Sequence, residues 1–307
     1  MEAMDVASIF LSNERRYFMK RFASACLFAM MLTALFLAGC AQSGTDGSDG
    51  KLQIVATVFP EYDWVRNVLG DNPADAQIML LTDNGVDLHS YQPSVEDILR
   101  IKTCDLFIYV GGESDAWVSD ALQDASEDMV VIKLLDVLGD TVKEEETVEG
   151  MQSEEEDDDE SDEPEYDEHV WLSLRNAKEF VSSIADAMGT IDAEHAEMYE
   201  NNAADYIVRL DELDAEYQKA VRNSSYNTLL FGDRFPFRYL VDDYGLSYYA
   251  AFAGCSAETG ASFETITFLT GKLDELDLPA VMTIDGSDGK IAETVIRSSQ
   301  KKDRQIL

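Results

Sequence analysis

Short apolar runs alternate with amphipathic stretches along most of this chain. Residues 52–59 (LQIVATVF) form an apolar, β-branched run of the kind that makes a buried strand. Trp64, Val65, Val68 and Leu69 then recur at helical spacing within 61–69. The same alternation predicts strands at 76–81, 106–110 and 130–133, and helices at 94–101 and 116–122. Ser94, with Asp97 three residues on, reads as a helix start, and Gly111-Gly112 ends the third strand. Strands separated by helices imply parallel βαβ units and an α/β fold.

The middle of the chain is helical. Apolar positions 180, 181, 184, 185 and 188 lie on one face of 174–188, and Tyr199, Ala203, Tyr206, Ile207, Leu210, Leu213 and Tyr217 form a seam along 193–221. A helix of that length spans about 40 Å, more than one small domain needs, so it reads as a bridge between two lobes. Strand and helix patterns resume afterwards, with strands at 228–231, 246–252 and 280–284 and helices at 235–244, 262–275 and 290–298. Residues 305–307 resemble the start of a further strand. The expected architecture is therefore two α/β lobes, 52–190 and 224–307, joined by one long helix at 191–223.

Charge changes this picture in two ways. With 61 acidic against 23 basic residues, the formal charge of −38 repels phosphate backbones and argues against nucleic-acid binding. The acidic residues also cluster: 16 of the 25 residues in 144–168 are Asp or Glu and none is Lys or Arg, which reads as a solvated insertion in the first lobe.

The N-terminus reads as a targeting segment. Lys20 and Arg21 precede the apolar run 23–38, which ends in Leu37-Ala38-Gly39-Cys40. This order of basic, apolar and small residues is a secretory signal over 1–40. The last four residues are similar to a bacterial lipobox, in which Cys40 becomes the lipid anchor. Residues 1–18 lie outside that pattern and make Met19 a candidate start. Residues 41–51 are rich in Gly, Ser and Asp and read as a flexible tether. Two cysteines remain for the folded part. Cys104 and Cys255 are either one disulfide or two small buried hydrophobes, and the second reading is preferred here.

Candidate chemistry rests on three histidines. His195 falls on a charged helical stretch and reads as a solvated residue. His89 and His169 instead lie beyond predicted strands of the first lobe, where open α/β domains place ligands. Asp233 and Asp285 follow strands of the second lobe. Two imidazoles and one or two carboxylates facing across a cleft make a four-coordinate divalent-metal site.

At these residues the chain resembles the metal-specific solute-binding proteins of bacterial ABC importers, from about residue 52 to the end. His89-Ser90-Tyr91-Gln92-Pro93-Ser94 is similar to the family motif H-x-Y-x-P-[ST], and His169-Val170-Trp171-Leu172 to its H-[VA]-W-L motif. Asp285, followed by Lys290-Ile291-Ala292-Glu293-Thr294, matches the region of the family's C-terminal acidic ligand. The resemblance implies a metal held between two lobes, with Zn²⁺ as cargo and Mn²⁺ as runner-up, delivered to an ABC permease. The protein would work at the extracytoplasmic face, anchored through Cys40. One departure stands out. An ungapped match puts Arg234 where the family supplies a third ligand, and a guanidinium only donates hydrogen bonds. Asp233 or water is then the expected substitute. The acidic run takes the place of the family's His-rich collecting loop, and the chain stops before the last strand and helix such proteins carry. A surface adhesin on the same scaffold is the alternative. A secreted metallohydrolase, with Glu168 as base, is disfavoured because no H-E-x-x-H or comparable motif occurs, so the expected role is binding and not catalysis.

Overall fold

The computed structural model describes residues 51–71, 76–82, 86–152, 165–256 and 260–307. The leader, Cys40 and most of the tether, together with the centre of the acidic run, lie outside the described residues.

Four parallel strands form the first sheet, in the order β2-β1-β3-β4: β1 (Leu52–Ala56), β2 (Ala76–Leu80), β3 (Leu106–Tyr109) and β4 (Val130–Lys133). Helices α1 (Phe59–Leu69), α2 (Val95–Thr103), the single turn α3 (Val118–Ala121) and α4 (Leu134–Leu138) connect and follow them. Both faces of this sheet are covered, so Ile54, Val55, Phe107 and Ile108 are all buried although they alternate in direction. This explains why the strands read as continuous apolar runs. On one face Trp64, Val65 and Val68 of α1 meet Phe180, Val181 and Ile184 of α5 (Leu174–Ile191). Ser173 caps α5 by accepting the N–H of Asn176, at 3.1 Å.

The long helix α6 (Ala196–Asn223) packs mainly along α5 and α1, through Tyr199, Ala203 and Leu210. His195 stands at its N-cap, where its ring meets Asp192 Oδ2 at 2.7 Å.

After α6 the strands are shorter. They are β5 (Thr228–Leu230), β6 (Arg234–Phe235), β7 (Ser247–Tyr249), β8 (Phe252–Ala253), β9 (Ala280–Val281) and β10 (Gln305–Ile306). They pair in parallel as β5–β7, β6–β8 and β9–β10, and a bridge between Phe231 and Met282 links β5 to β9. Helices α7 (Arg238–Tyr244), α8 (Phe263–Glu275) and α9 (Lys290–Ser298) accompany them. Leu269 and Leu273 of α8 pack on Val295 and Ile296 of α9 to make a second, smaller core. The sequence pattern placed a helix start at 235, but Phe235 belongs to β6 and α7 begins at Arg238. Phe235 stacks on Tyr248, with ring centroids 3.7 Å apart, and its neighbour Pro236 breaks the helical pattern.

The acidic insertion is ordered at both stems. Glu144 pairs with Tyr166 in an antiparallel bridge, and Gln152 donates its N–H to Ala251 O at 3.0 Å.

Candidate metal centre

His89 is placed by its own motif. Asp87 accepts the backbone N–H of His89 at 3.0 Å and so caps the short turn Leu88–Ser90. Tyr91 is buried against Trp117 and donates its hydroxyl to Asp97 Oδ2 at 3.1 Å. Asp97 and Ser94 satisfy each other's backbone N–H groups at the start of α2. The histidine motif is thus a tight turn clamped to the next helix.

His169 stands at the end of the acidic run. Asp167 Oδ1 accepts both its backbone N–H, at 2.8 Å, and its ring Nδ1–H, at 3.1 Å. A carboxylate can only accept here, so the proton sits on Nδ1 and the Nε2 lone pair points away. Tyr239 of α7 fastens this turn to the C-terminal half by donating to Asp167 O, at 3.1 Å.

The two rings face each other. His89 Nε2 lies 3.3 Å from His169 Nε2. His89 Nδ1 lies 2.8 Å from Ser114 Oγ and 3.5 Å from Glu168 Oε2, an acceptor-rich setting in which a proton on the outer nitrogen leaves the Nε2 lone pair facing His169. In that tautomer both Nε2 lone pairs converge, an arrangement suited to a cation between them. Two nitrogens each about 2.0–2.1 Å from one tetrahedral ion stand about 3.3 Å apart. The residues present fit a zinc-like ion, and the carboxylate partners on the outer nitrogens are those that orient metal-binding imidazoles.

Glu168 supports His89 through Ser114, whose hydroxyl meets the ring. It is only 2 % exposed, and its Oε1 accepts the N–H of Ser114 at 2.8 Å. Gly112, with φ +86°, lets the β3 turn pass over this carboxylate, because a Cβ there would meet Glu168 Oε1 at 2.4 Å. Burial pushes Glu168 above the usual carboxylate range and Asp115, behind it, up to about 6. Burial also brings His89 down to about 4, helped by the His169 and Arg234 charges and opposed by Asp87 and Asp167. At neutral pH His89 is therefore an uncharged imidazole, the form that binds a metal.

The acidic candidates from the C-terminal half are placed differently. Asp233 Oδ1 accepts the N–H of Arg234 at 2.9 Å, while its Oδ2 is buried with no hydrogen-bond partner among the described residues. Asp285 is exposed in the turn after β9. Arg234 turns to Asp87, at 3.0 Å. Although burial opposes it, this contact and the His89 N–H hold the Asp87 carboxyl below its usual range. Among the described residues, the group of metal-ligating atoms that come within 4.8 Å of one another is His89, His169 and Cys255. Asp233 and Asp285 are not part of it.

Cys255 is the residue the sequence reading missed. Cys104 is a buried free thiol, as a small hydrophobe should be, but Cys255 is a half-buried free thiol at the site. The signal was available: Cys255 follows the apolar run 246–252, the same position relative to a strand that singled out the other candidates.

A profile for zinc-uptake complex component A, periplasmic (ZnuA), matches residues 54–306. The chain belongs to the ZnuA family. Its relatives include the zinc-binding lipoprotein AdcA of Streptococcus pneumoniae (strain ATCC BAA-255 / R6), 30% identical over 279 residues that cover 90% of this chain and 53% of the relative. The chain thus spans about half the length of the AdcA relatives it matches. The high-affinity zinc uptake system protein ZnuA of Bacillus subtilis (strain 168) is 26% identical over 277 residues, 88% of this chain and 83% of that protein. Among solved structures, the Zn(II)-bound ZnuA-like domain of Streptococcus pneumoniae AdcA superposes with a TM-score of 0.62 at 26% identity, over 84% of this chain and 86% of that one. The α/β ZnuA fold is therefore shared along most of the described chain.

Proposed function

We propose that this ZnuA-family chain is an extracytoplasmic binding protein that captures Zn²⁺ and delivers it to an ATP-driven membrane permease. The observation that carries this reading is the convergence of the two Nε2 atoms, 3.3 Å apart with both outer nitrogens committed to other partners. His89 and His169 hold the cargo. Asp233 and Asp285 are the carboxylate candidates from the C-terminal half for completing its shell, and Mn²⁺ is the competing cargo. The names and zinc-bound state of the relatives support zinc as the ion.

The role is capture and release: among the described residues, Asp167 and Ser114 hold the outer ring nitrogens and Glu168 holds Ser114, so the groups at the site serve to orient the two imidazoles. Anchoring through Cys40 would hold the loaded protein near the permease and raise its local concentration there. Among the described residues no helix is long and apolar enough to cross a membrane.

Competitive titration of the purified protein with Zn²⁺ and Mn²⁺, beside His89→Ala and His169→Ala, tests the reading. One tight equivalent of zinc, lost in each variant, is the expected result. Tight manganese with weak zinc would replace the cargo, and no tight binding of either would overturn the function.

A further inference from the structure

The close approach of Cys255 to the two imidazoles goes beyond the ligand set that motif and position picked out. Its Sγ lies within 4.8 Å of the ligating atoms of His89 and His169. Three features hold it there. Cys255 follows β8 by two residues, and β8 pairs with β6, the strand that carries Arg234. Its backbone N–H is fixed by Glu145 Oε1 at 3.0 Å, so a stem of the acidic insertion pins the loop. Gly254 crosses directly over the His169 ring, where a Cβ would meet Cε1 at 3.1 Å and Nδ1 at 3.2 Å. Such a Cβ would also meet Phe235 O at 3.0 Å, so a glycine is what lets this turn lie close to both β6 and the ring.

Given that His89 and His169 bind the cargo, we propose that Cys255 is the third ligand, making a His₂Cys site that selects zinc and other thiophilic ions over manganese. Two imidazole nitrogens and one thiolate are a recurrent protein ligand set for zinc, with a fourth place left for an oxygen donor. Manganese prefers oxygen donors and gains little from sulfur. On binding, a metal–sulfur bond forms as the S–H bond breaks. The sulfur keeps the electron pair and the proton leaves to solvent, one per ion bound. Arg234 takes no part, since it is paired with Asp87.

Cobalt substitution tests this directly in the intact protein. Co²⁺ bound by the wild-type chain is expected to show a thiolate-to-cobalt charge-transfer band in the near ultraviolet. The band should persist in Cys104→Ser and vanish in Cys255→Ser. In Cys255→Ser, zinc affinity should fall at least about tenfold, because even the loss of a residue that merely supports a ligand costs about 10–100-fold. The preference for zinc over manganese should shrink by a similar factor in that variant. The wild-type spectrum needs no variant to fold, so it decides the matter alone if Cys255→Ser proves unstable. Tight zinc binding with a band-free cobalt spectrum would overturn the thiolate assignment and leave the capture function standing. Failure of the wild-type chain to bind either zinc or cobalt would overturn both.

Discussion

In the N-terminal half four strands of four or five residues lie side by side, and helices cover both faces. In the C-terminal half the described strands have two or three residues and meet as three pairs, two of which, β5–β7 and β9–β10, are linked by the Phe231–Met282 bridge. The two halves also treat the site differently. The N-terminal half supplies His89 and a buried support beneath it: Ser114 and Glu168, with Asp115 and Glu61 further back. The C-terminal half supplies Arg234 at the start of β6 and the turns that carry Cys255 and Asp285. A broad sheet with a large core can hold a side chain against buried charge, whereas short strands on a small core leave the facing side chains to be placed by the loops between them.

Core truncation should separate the halves most strongly. Phe180 is fully buried, tilted against Trp64 with ring centroids 5.4 Å apart, and Phe180→Ala should cost about 3–5 kcal/mol. Leu269→Ala, in the smaller core, should cost about 2–5 kcal/mol and fall toward the low end, because fewer large side chains surround it. Urea unfolding of both variants measures this. Equal losses would break the contrast between the halves.

The buried support of the N-terminal half should also leave a pH signature. Burial, with the charge of Asp115, raises Glu61 from an ordinary value near 4.5 to about 8, although the N–H groups of Val58 and Thr57 oppose the shift. Below about 4.5 the group is protonated both folded and unfolded, and its stability contribution is fully present. As pH rises toward about 8 the unfolded chain releases the proton first, so stability falls across that window. Thermal melts through that range should show the decline in the wild type and a flatter profile in Glu61→Gln. An identical slope in the variant would assign the decline to another group.

The smallest effect is expected from Arg234. Its charge lowers the proton affinity of His89 and repels any cation beside it. Arg234→Gln also frees the Asp87 carboxylate, so both changes favour a divalent ion. A gain of about fivefold in zinc affinity corresponds to roughly 1 kcal/mol, the Coulomb energy of two charges a few ångströms apart in a water-like medium. Calorimetric titration at low salt measures it, and weaker binding in the variant would show that Arg234 supports the site.

Much of this molecule was legible beforehand for identifiable reasons. The strand at 130–133 and the helix at 290–298 were read to the residue, because an apolar run and a strongly amphipathic stretch leave one register. His89 and His169 were found because their surroundings are local: Asp87 and Asp167, each two residues before its histidine, set the turn that aims the ring. Arg234 and Cys255 were harder. Whether a turn residue faces the site or a neighbouring carboxylate depends on partners far along the chain: Arg234 meets Asp87 from 147 residues away, and Glu145 fixes Cys255 from 110.

The sequence by itself determined the alternation of strands and helices, the parallel α/β class and the two imidazoles, since hydrophobic period and local turn chemistry act over a few residues. Only the tertiary structure decided that the imidazole nitrogens meet at 3.3 Å, that Arg234 pairs with Asp87, and that the Cys255 thiol comes within 4.8 Å of the histidine nitrogens. Those outcomes turn on distances of a few ångströms between segments remote in sequence. Such distances are set by how the two cores pack and by which carboxylate each cation finds, and neither is written in any local pattern.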